Sequence, residues 1–435
     1  MVHTLPAGTQ MERAKPVPTA PQPPDSAVAE PAWWRRRPVL IAAAAVLVVV
    51  IGLSLGRGGS GGLGGGAGGS SSTTAASGAT NPDTAGGTGV SNSAATDPSG
   101  SAATGGTTGA GTSPASGPGG AAGAPGTIAF ASRRFGTPGI FTVTDEGTGE
   151  RRLTPAQGEY FTPVWSPDGK HIAFASRRVD NTDIYVVNAD GSNEQRLTSY
   201  PGNDFDPAWS PDGKRIAFSR QADTAGRPTS DVYVVEAGGG GERPLASTDD
   251  DEFGPVWSPD GTRIAYTRVV TGGAAIWVTG PDGSGAKAIV GPPSQNLSPV
   301  WSPDGSHLAF VGSRAGNSDI FVASADGAGA RAVTTDPGED LAPAWSPDGR
   351  RLAYISARNA NRDVHVVDAD GGNDHAVAAS RGEEATPAWS PDGLRIAFVS
   401  DRDGARQIYS VTPEGLSLRR LTQGPGPDFD PRWRP

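Results

Sequence analysis

The chain has no cysteine and only 2 methionines among its 435 residues. The lack of cysteine excludes disulfide bonds, zinc ribbons and thiol nucleophiles. Basic residues are outnumbered as well, because 36 Lys and Arg stand against 46 Asp and Glu, a formal net charge of −10. The sequence therefore lacks the basic footprint of a nucleic-acid-binding protein, and we expect no nucleic-acid partner.

Charge is scarce in the first 126 residues, which hold 6 basic and 5 acidic side chains, so the remainder carries −11. Residues 1–37 are rich in Pro and Ala, which predicts a disordered, extended tail. Residues 57–126 are almost wholly Gly, Ser, Thr, Ala and Pro, the composition of a flexible, disordered linker. Such a linker has an end-to-end distance of roughly 45–50 Å.

An uncharged run, residues 38–56, follows Trp33 and Trp34 and the arginines at 35–37. A helix of this length covers roughly the ~30 Å hydrocarbon core of a bilayer. The arginines favour a cytoplasmic N terminus. The alternative is a cleaved signal peptide, whose apolar region is usually only about 7–15 residues long. We expect a transmembrane helix that anchors a single-pass cell-membrane protein, with residues 1–37 in the cytoplasm and the rest on the extracytoplasmic side.

From Thr127 onward the sequence is a repeat marked by tryptophan. The period is 44 residues, with a single interval of 48, and the first six tryptophans each open the motif WSPDG. A fixed period of about 40–50 residues indicates a propeller or a solenoid. We expect the tryptophans to fill the space between neighbouring sheets; they are Trp165, Trp209, Trp257, Trp301, Trp345, Trp389 and Trp433.

Each period predicts four short strands rich in β-branched and aromatic residues. In one unit they are 206–210, 215–220, 231–237 and 242–246, separated by Pro, Asp and Gly. No helical periodicity interrupts them. The sequence therefore predicts an all-β fold over residues 127–435, a seven-bladed β-propeller of four-stranded blades.

The two ends of the repeat are out of phase. The first unit, beginning at Thr127, has no tryptophan strand before it, whereas the last tryptophan strand, Phe429–Trp433, has nothing after it. We expect this C-terminal strand to pair with residues 127–132 and complete the first blade. Closure in this way removes an exposed sheet edge.

Two groups of polar residues in the repeat have structural interpretations. Proline, aspartate and glycine in SPDG are typical turn residues, so Asp168 and Asp212 are expected in hairpin turns and not in catalysis. His171 and His307 occupy positions that hold arginine in other repeats, and His365 occupies an aromatic position. We find no catalytic constellation, no metal site and no cofactor motif.

One set of positions predicts a binding surface. Loops between blades usually line the mouth of the central channel, and the residue three positions before each Pro-x-Trp proline is acidic in five of seven repeats. We interpret these positions as an acidic rim for a cation or a basic partner segment. The alternative is that they cap loop amides or pair with Arg134, Arg178, Arg314, Arg358 and Arg402. The rim positions are Tyr160, Asp204, Glu252, Asn296, Asp340, Glu384 and Asp428.

Three further segments break the repeat. Residues 220–231 contain a four-residue insertion, expected to be an exposed loop that is either a contact point or a tolerated insertion. Residues 368–374 resemble a calcium loop but lack its final glutamate, which favours a hairpin turn. The acidic residues at 248–252 are expected in a solvated loop.

The segment DPAWSPDGKRIAF, followed by DIYVV and RLT, resembles the WD-repeat-like repeats of TolB-type propellers. Similar repeats occur in the propeller domains of prolyl-oligopeptidase-like peptidases. The resemblance covers residues 127–435 and implies the fold. TolB proteins carry an N-terminal α/β domain and six blades, whereas this chain has a predicted anchor, a linker and seven blades. The role of TolB with a peptidoglycan-associated lipoprotein is therefore not carried over.

These observations favour a membrane-anchored, TolB-like binding scaffold or sensor over an enzyme. The expected partner is a protein or peptide, cationic if it binds the rim, or a cell-envelope glycan, and the propeller is expected to be monomeric. The alternative is a hydrolase or lyase that acts on peptide or carbohydrate at the channel mouth. That alternative requires a His/Asp/Arg cluster that breaks the repeat symmetry, and none stands out in the sequence.

Overall fold

The computed structural model describes residues 126–435, apart from residues 137, 179, 225–226, 315 and 360. The predicted tail, anchor and linker lie outside the described residues. Within the described part, no helix is long and apolar enough to cross a membrane. The all-β prediction is confirmed, because the only helix described there is a single 3₁₀ turn, Arg134–Gly136.

The described residues form 28 strands. The first eleven are β1 (Thr127–Ser132), β2 (Gly139–Thr144), β3 (Arg151–Arg152), β4 (Glu159–Trp165), β5 (His171–Arg177), β6 (Thr182–Asn188), β7 (Gln195–Arg196), β8 (Asn203–Trp209), β9 (Arg215–Thr224), β10 (Arg227–Glu236) and β11 (Arg243–Ala246). The next eight are β12 (Asp251–Trp257), β13 (Ile264–Val270), β14 (Gly273–Thr279), β15 (Lys287–Val290), β16 (Gln295–Trp301), β17 (His307–Arg314), β18 (Asn317–Ser324) and β19 (Arg331–Ala332). The last nine are β20 (Asp340–Trp345), β21 (Arg351–Ser356), β22 (Asp363–Asp368), β23 (His375–Ala378), β24 (Glu384–Trp389), β25 (Ile396–Ser400), β26 (Gln407–Val411), β27 (Arg419–Arg420) and β28 (Asp428–Trp433).

Most strands form four-stranded antiparallel sheets of consecutive strands, as the repeat predicts. These sheets are β4–β7, β8–β11, β20–β23 and β24–β27. A fifth sheet has the order β28-β1-β2-β3, so a strand from the C terminus lies beside the first strand of the domain. The groups β12–β15 and β16–β19 differ from the prediction, because one parallel pair, Ala274 with Gln295, joins them into an eight-stranded sheet.

The hairpin β5–β6 shows how the repeat folds locally. Ile172 pairs with Val187, and Phe174 pairs with Tyr185, whose ring stacks on it at 5.8 Å between centroids. Alternate side chains therefore fill the apolar layers on the two faces of the sheet, as expected for strands with a period of two. Ser166 and Gly169 close the preceding turn with a 2.8 Å backbone hydrogen bond.

A β-bulge interrupts the first strand of each unit. In β4 the register shifts between Phe161 and Val164, and Thr162 has a φ of 46°. The extra residue places Tyr160 and Trp165 on the same face, where both join one apolar cluster. A regular strand would put these two residues on opposite faces.

The tryptophan side chains connect neighbouring sheets. The indole Nε1 of each of the seven repeat tryptophans donates to a backbone carbonyl in the first strand of the preceding unit, at 3.0–3.2 Å. The series includes Trp165, which donates to the Arg432 carbonyl of β28, and Trp433, which donates to Ala388 of β24. First strands also contact one another in sequence, and β28 contacts both β24 and β4.

The sheets have two distinct ends. At one end, here called the connection end, the turn between the second and third strands meets the link to the next sheet; for example, Asn181 Nδ2 donates to the Tyr200 and Gly202 carbonyls. At the other end, here called the SPDG end, the SPDG turn meets the turn between the third and fourth strands, as Ala189 N donates to the Lys170 carbonyl.

The insertion at residues 220–231 forms a hairpin, which corrects the expected loop. Strands β9 and β10 are ten residues each and stay paired out to Thr224 and Arg227. The insertion lengthens both strands together, so it adds backbone hydrogen bonds between them. The hairpin therefore projects from the connection end.

Candidate functional site

The SPDG aspartates are engaged in their own turns. Ser166 Oγ donates to Asp168 Oδ1 at 2.6 Å, and Lys170 N donates to the same oxygen at 3.0 Å. These hydrogen bonds lower the pKa of Asp168. The same arrangement recurs around Asp212. The carboxylates therefore stabilise the turns at the SPDG end.

The predicted rim side chains are all buried, with 5% exposure for Tyr160 and 0% for the other six. Each faces an arginine of its own sheet. The pairs are Tyr160 with Arg178, Asp204 with Arg220, Glu252 with Arg268, Asn296 with Arg314, Asp340 with Arg358, Glu384 with Arg402, and Asp428 with Arg134. This is the pairing that the alternative interpretation expects, and the binding role of the rim stays a prediction.

The strongest rim pairs have two-pronged geometry. Arg220 donates from Nε and a terminal nitrogen to the two oxygens of Asp204, both at 2.8 Å. Arg134 contacts both oxygens of Asp428, with Nε at 3.1 Å from Oδ1. Charge-assisted bidentate bonds of this kind are the strong ones. These hydrogen bonds hold the start of the first strand of a unit against the second strand of the same unit.

Other rim carboxylates are less completely paired. Burial raises the pKa of Glu252 to about 7. Arg268 lowers this pKa only in part, because its Nε lies 3.4 Å from Glu252 and its guanidinium contacts Asp250 more closely. Burial also raises the pKa of Glu384 to about 7, although Ser380, Ser400 and Arg402 donate to it at 2.8–2.9 Å. These two carboxyl groups titrate close to neutral pH.

Two aspartates occupy the bulge position itself, one residue before the proline. Asp206 has a φ of 53° and Asp430 a φ of 51°. Burial raises the pKa of Asp206 to about 6, and the carboxylate of Asp430 adds to the shift. In the part of the chain that the structure describes, no group of three or more His, Cys, Asp or Glu side chains is arranged to hold a metal ion.

A polar cluster in the sheet β20–β23 was missed by the sequence reasoning. Asp374 accepts from Tyr354 Oη at 2.6 Å and from Arg358 at 2.8 Å, and His365 Nδ1 lies 3.3 Å away. Burial opposes the shift, but these hydrogen bonds lower the pKa of Asp374 to about 2. His365 in an aromatic position was the available signal, whereas its proximity to Asp374 depends on strand pairing.

The remaining predicted segments have local roles. Asp370 accepts from Gly372 N at 2.9 Å, so residues 368–374 contain a hairpin turn. The solvated loop expected at 248–252 is corrected in part, because Asp251 and Glu252 begin β12 and are buried. Asp251 accepts from Ser230 N at 3.1 Å and Asp250 accepts from Arg268 at 2.9 Å. His171 and His307 lie beside the SPDG turns, where their backbone N–H groups bond to Ser166 and Ser302.

Two family models match this part of the chain. A model of the TolB β-propeller domain matches residues 244–380 and 341–435, and a model of the tricorn protease N-terminal β-propeller domain matches residues 127–271. Among curated proteins, none is similar in sequence to this chain.

Several solved structures are similar. A putative TolB from Agrobacterium tumefaciens is 22% identical with a TM-score of 0.45, over 56% of this chain and 94% of that one. An oligogalacturonate lyase from Vibrio parahaemolyticus is 16% identical with a TM-score of 0.50, over 69% and 87%. A puromycin-hydrolyzing peptidase from Mycobacterium tuberculosis is 15% identical with a TM-score of 0.53, over 68% and 53%.

The lyase and the peptidase share the fold with this chain, and the chain spans about half the length of the peptidase. Shared fold alone does not transfer activity. The two propeller models cover the repeat from residue 127 to residue 435 without a gap, in agreement with its WSPDG motifs. The repeat is therefore similar to the TolB β-propeller domain over residues 244–435 and to the tricorn protease N-terminal β-propeller domain over residues 127–271.

Proposed function

We propose that residues 127–435 form a closed ring of seven blades that binds a protein, a peptide or a cell-envelope glycan at the outer surface of the cell membrane. The indole hydrogen bonds support the ring, because seven tryptophans each connect one unit to the preceding one and the series returns to its start. The pairing of β28 with β1 supports closure by the C-terminal strand.

The projecting hairpin β9–β10 is the observation that carries the binding proposal. The repeat-equivalent carboxylates of the rim are buried against arginines, so they support a rigid base. The hairpin breaks the symmetry at the connection end, where its strands extend to Thr224 and Arg227. A rigid scaffold that presents one distinct loop suits recognition.

The predicted anchor would keep the domain at the membrane. Residues 38–56 would hold the chain in the membrane, and the linker 57–126 would let the domain explore roughly 45–50 Å. Tethering of this kind raises the effective concentration of the domain for ligands near the membrane.

Site-specific crosslinking in the full chain tests the binding proposal. A photo-crosslinking residue at the exposed Pro228 of the hairpin should capture a partner, and the same residue at the exposed Lys214 of the SPDG end serves as the matched control. Deleting residues 223–226, which shortens the hairpin to the usual length, should abolish capture while the melting temperature stays within a few degrees. Equal capture at both positions would contradict the proposal.

The rim has its own test. If it binds a cationic partner, Asp340→Asn combined with Glu384→Gln should weaken binding and leave the melting temperature nearly unchanged. Because both carboxyl groups are buried, a large loss of stability with unchanged binding would instead establish a structural role for the rim.

A second candidate function is hydrolase or lyase chemistry, and the cluster around Asp374 is the observation that favours it. His365, Tyr354 and Arg358 surround one carboxylate, and among the described sheets no other combines these side chains. Burial of Tyr354 and His365 restricts access for a substrate. His365→Gln should abolish turnover of peptide or oligogalacturonide substrates under this alternative, whereas a binding scaffold shows no turnover in either form.

A further inference from the structure

Exposed leucines mark one unit of the ring. Among the described residues, the exposed large hydrophobic side chains are Tyr200, Leu394, Leu416 and Leu418, with exposures of 51%, 66%, 64% and 48%. The three leucines all belong to the sheet β24–β27. A single exposed leucine needs no explanation, but a group on one unit does.

The repeat shows that these leucines are particular to this unit. The position of Leu394, just after SPDG, holds Lys170, Lys214, Thr262, Ser306 and Arg350 in other units. The positions of Leu416 and Leu418 hold Ser192 and Glu194 in the unit β4–β7. The other units form the same turns without leucine, so the fold does not require leucine at these positions.

The three leucines lie at the SPDG end of the sheet. Leu394 belongs to the turn between β24 and β25, and Leu416 and Leu418 belong to the turn between β26 and β27. A terminal nitrogen of Arg395 donates to the Ser417 carbonyl at 2.8 Å, which connects the two turns. We call Leu394, Leu416 and Leu418 the leucine cluster.

The described part of the chain begins beside this cluster. The Gly126 carbonyl accepts from Asp145 N at 2.8 Å, and the Asp145 carbonyl accepts from Arg419 at 3.1 Å. Arg419 directly follows Leu418 in the sequence. The 125 residues that precede Gly126, including the predicted anchor, therefore attach at the edge of the ring that carries the leucine cluster.

We propose that the leucine cluster docks on the surface of the lipid bilayer in which the chain is anchored. This proposal rests on the proposed anchor, because the tether joins the domain at Gly126, beside the leucine cluster. Leucines on protruding turns enter the headgroup region without a complementary groove, and the exposed Arg419 beside them suits lipid phosphates. The tether keeps the local concentration high, so a small apolar contact suffices.

Docking of the leucine cluster would orient the domain relative to the bilayer. The connection end lies at the opposite end of every sheet, so docking of the leucine cluster would turn the hairpin β9–β10 away from the bilayer. A ligand in the cell envelope would then meet the hairpin without steric hindrance from the membrane.

The full chain reconstituted in lipid vesicles allows a direct test. Because the chain has no cysteine, Leu394→Cys introduces a single site for a membrane-impermeant, polarity-sensitive fluorophore. Ser306→Cys is the matched control, since it occupies the same turn position in the unit β16–β19. Vesicles of phosphatidylcholine, with or without phosphatidylglycerol, carry a quencher in the lipid acyl chains.

The lipid quencher should reduce emission at position 394 about twofold and leave position 306 unchanged, because only an apolar contact reaches the acyl boundary. Adding Leu416→Ser and Leu418→Ser to the Leu394→Cys chain should abolish the quenching. Equal quenching at both positions, or none at position 394, would overturn the proposal. A response that rises with protein density but not with the lipid quencher would assign the cluster to a second copy and also overturn it.

Alkaline carbonate extraction separates this proposal from the anchor on which it rests. If the chain is released from the vesicles, the anchoring proposal fails. If the chain stays with the lipid and position 394 gives no quenching, anchoring holds and docking by the leucine cluster fails.

Discussion

The first sheet, β28-β1-β2-β3, and the fourth unit, β12–β15, both place an arginine against the rim position, with different results. In the first sheet Arg134 holds both oxygens of Asp428, and Thr422 Oγ1 donates to the same carboxylate at 2.6 Å. In the fourth unit Arg268 lies 2.8 Å from Asp250 and only 3.4 Å from Glu252. Asp250 thus competes with Glu252 for Arg268, and burial raises the pKa of Glu252 to about 7.

Deleting Phe429–Pro435 should have the largest effect, because the first sheet obtains its inner strand from the other end of the chain. The deletion removes the strand paired with β1 and the buried side chains of Phe429 and Trp433. We expect a loss of more than about 5 kcal/mol, since truncation of one buried Trp or Phe alone costs about 3–5 kcal/mol. Thermal denaturation followed by circular dichroism, with deletion of Pro435 alone as the control, measures the effect. A truncated chain that melts like the intact one would disprove closure.

Replacing Arg134 should cost more stability than replacing Arg268. Arg134→Met leaves the Asp428 carboxylate buried without its partner, which should cost about 3–5 kcal/mol. Arg268→Met should cost only about 1–2 kcal/mol, because Glu252 takes up a proton readily and Arg268 is itself 20% exposed. Urea unfolding at pH 7 gives both values. Equal losses would show that the competing aspartate does not weaken the fourth unit.

The pH dependence of stability should sharpen the same contrast. The folded-state pKa of Glu252 is about 7, above its ordinary value of 4.5, so its contribution is complete below pH 4.5 and is lost as the pH rises to about 7. Glu252→Gln should remove a loss on the order of 1–3 kcal/mol between these limits. In this variant Glu384, whose pKa is also about 7, should still contribute its own part of the pH dependence of stability. An unchanged slope in urea titrations from pH 4.5 to 8 would refute the assignment.

Removing the competing aspartate should have the smallest effect. Asp250→Asn weakens the hold on Arg268, whose guanidinium can then turn toward Glu252. The pKa of Glu252 should fall by about one unit or less, because a nearby cation favours the charged carboxylate. The pH midpoint of the stability curve should move down in the same urea titrations, and Asp249→Asn is the matched control. A midpoint that stays in place or moves up would exclude competition.

The tryptophan spacing and the turn residues predicted the all-β fold from the sequence. The same reasoning identified the partners of the rim only in part. The FxSxR pattern names Arg134, which lies four residues after Phe130, but Arg268 lies two residues after Tyr266. Arg268 lies directly across the strand pair from Glu252, whereas Arg134 follows the end of β1 and reaches back to Asp428.

The β-bulge explains another limit of the sequence reasoning. Strict alternation would place Tyr160 and Trp165 on opposite faces, whereas the extra residue brings them into one cluster. The insertion in β9–β10 shows another limit, since the sequence reasoning expected a loop there. Polar residues concealed two long paired strands, since hydrogen bonding between backbones does not depend on side-chain hydrophobicity.

The sequence by itself determined the repeat, its strands and its turns, because local propensity and a fixed period act over short distances. Only the tertiary structure decided which side chains meet between strands and between sheets. The pair His365 with Asp374 and the position of Gly126 beside the leucine cluster depend on strand register and on contacts between distant segments. Such contacts leave no local pattern in the sequence, because they form only when the sheets pack together.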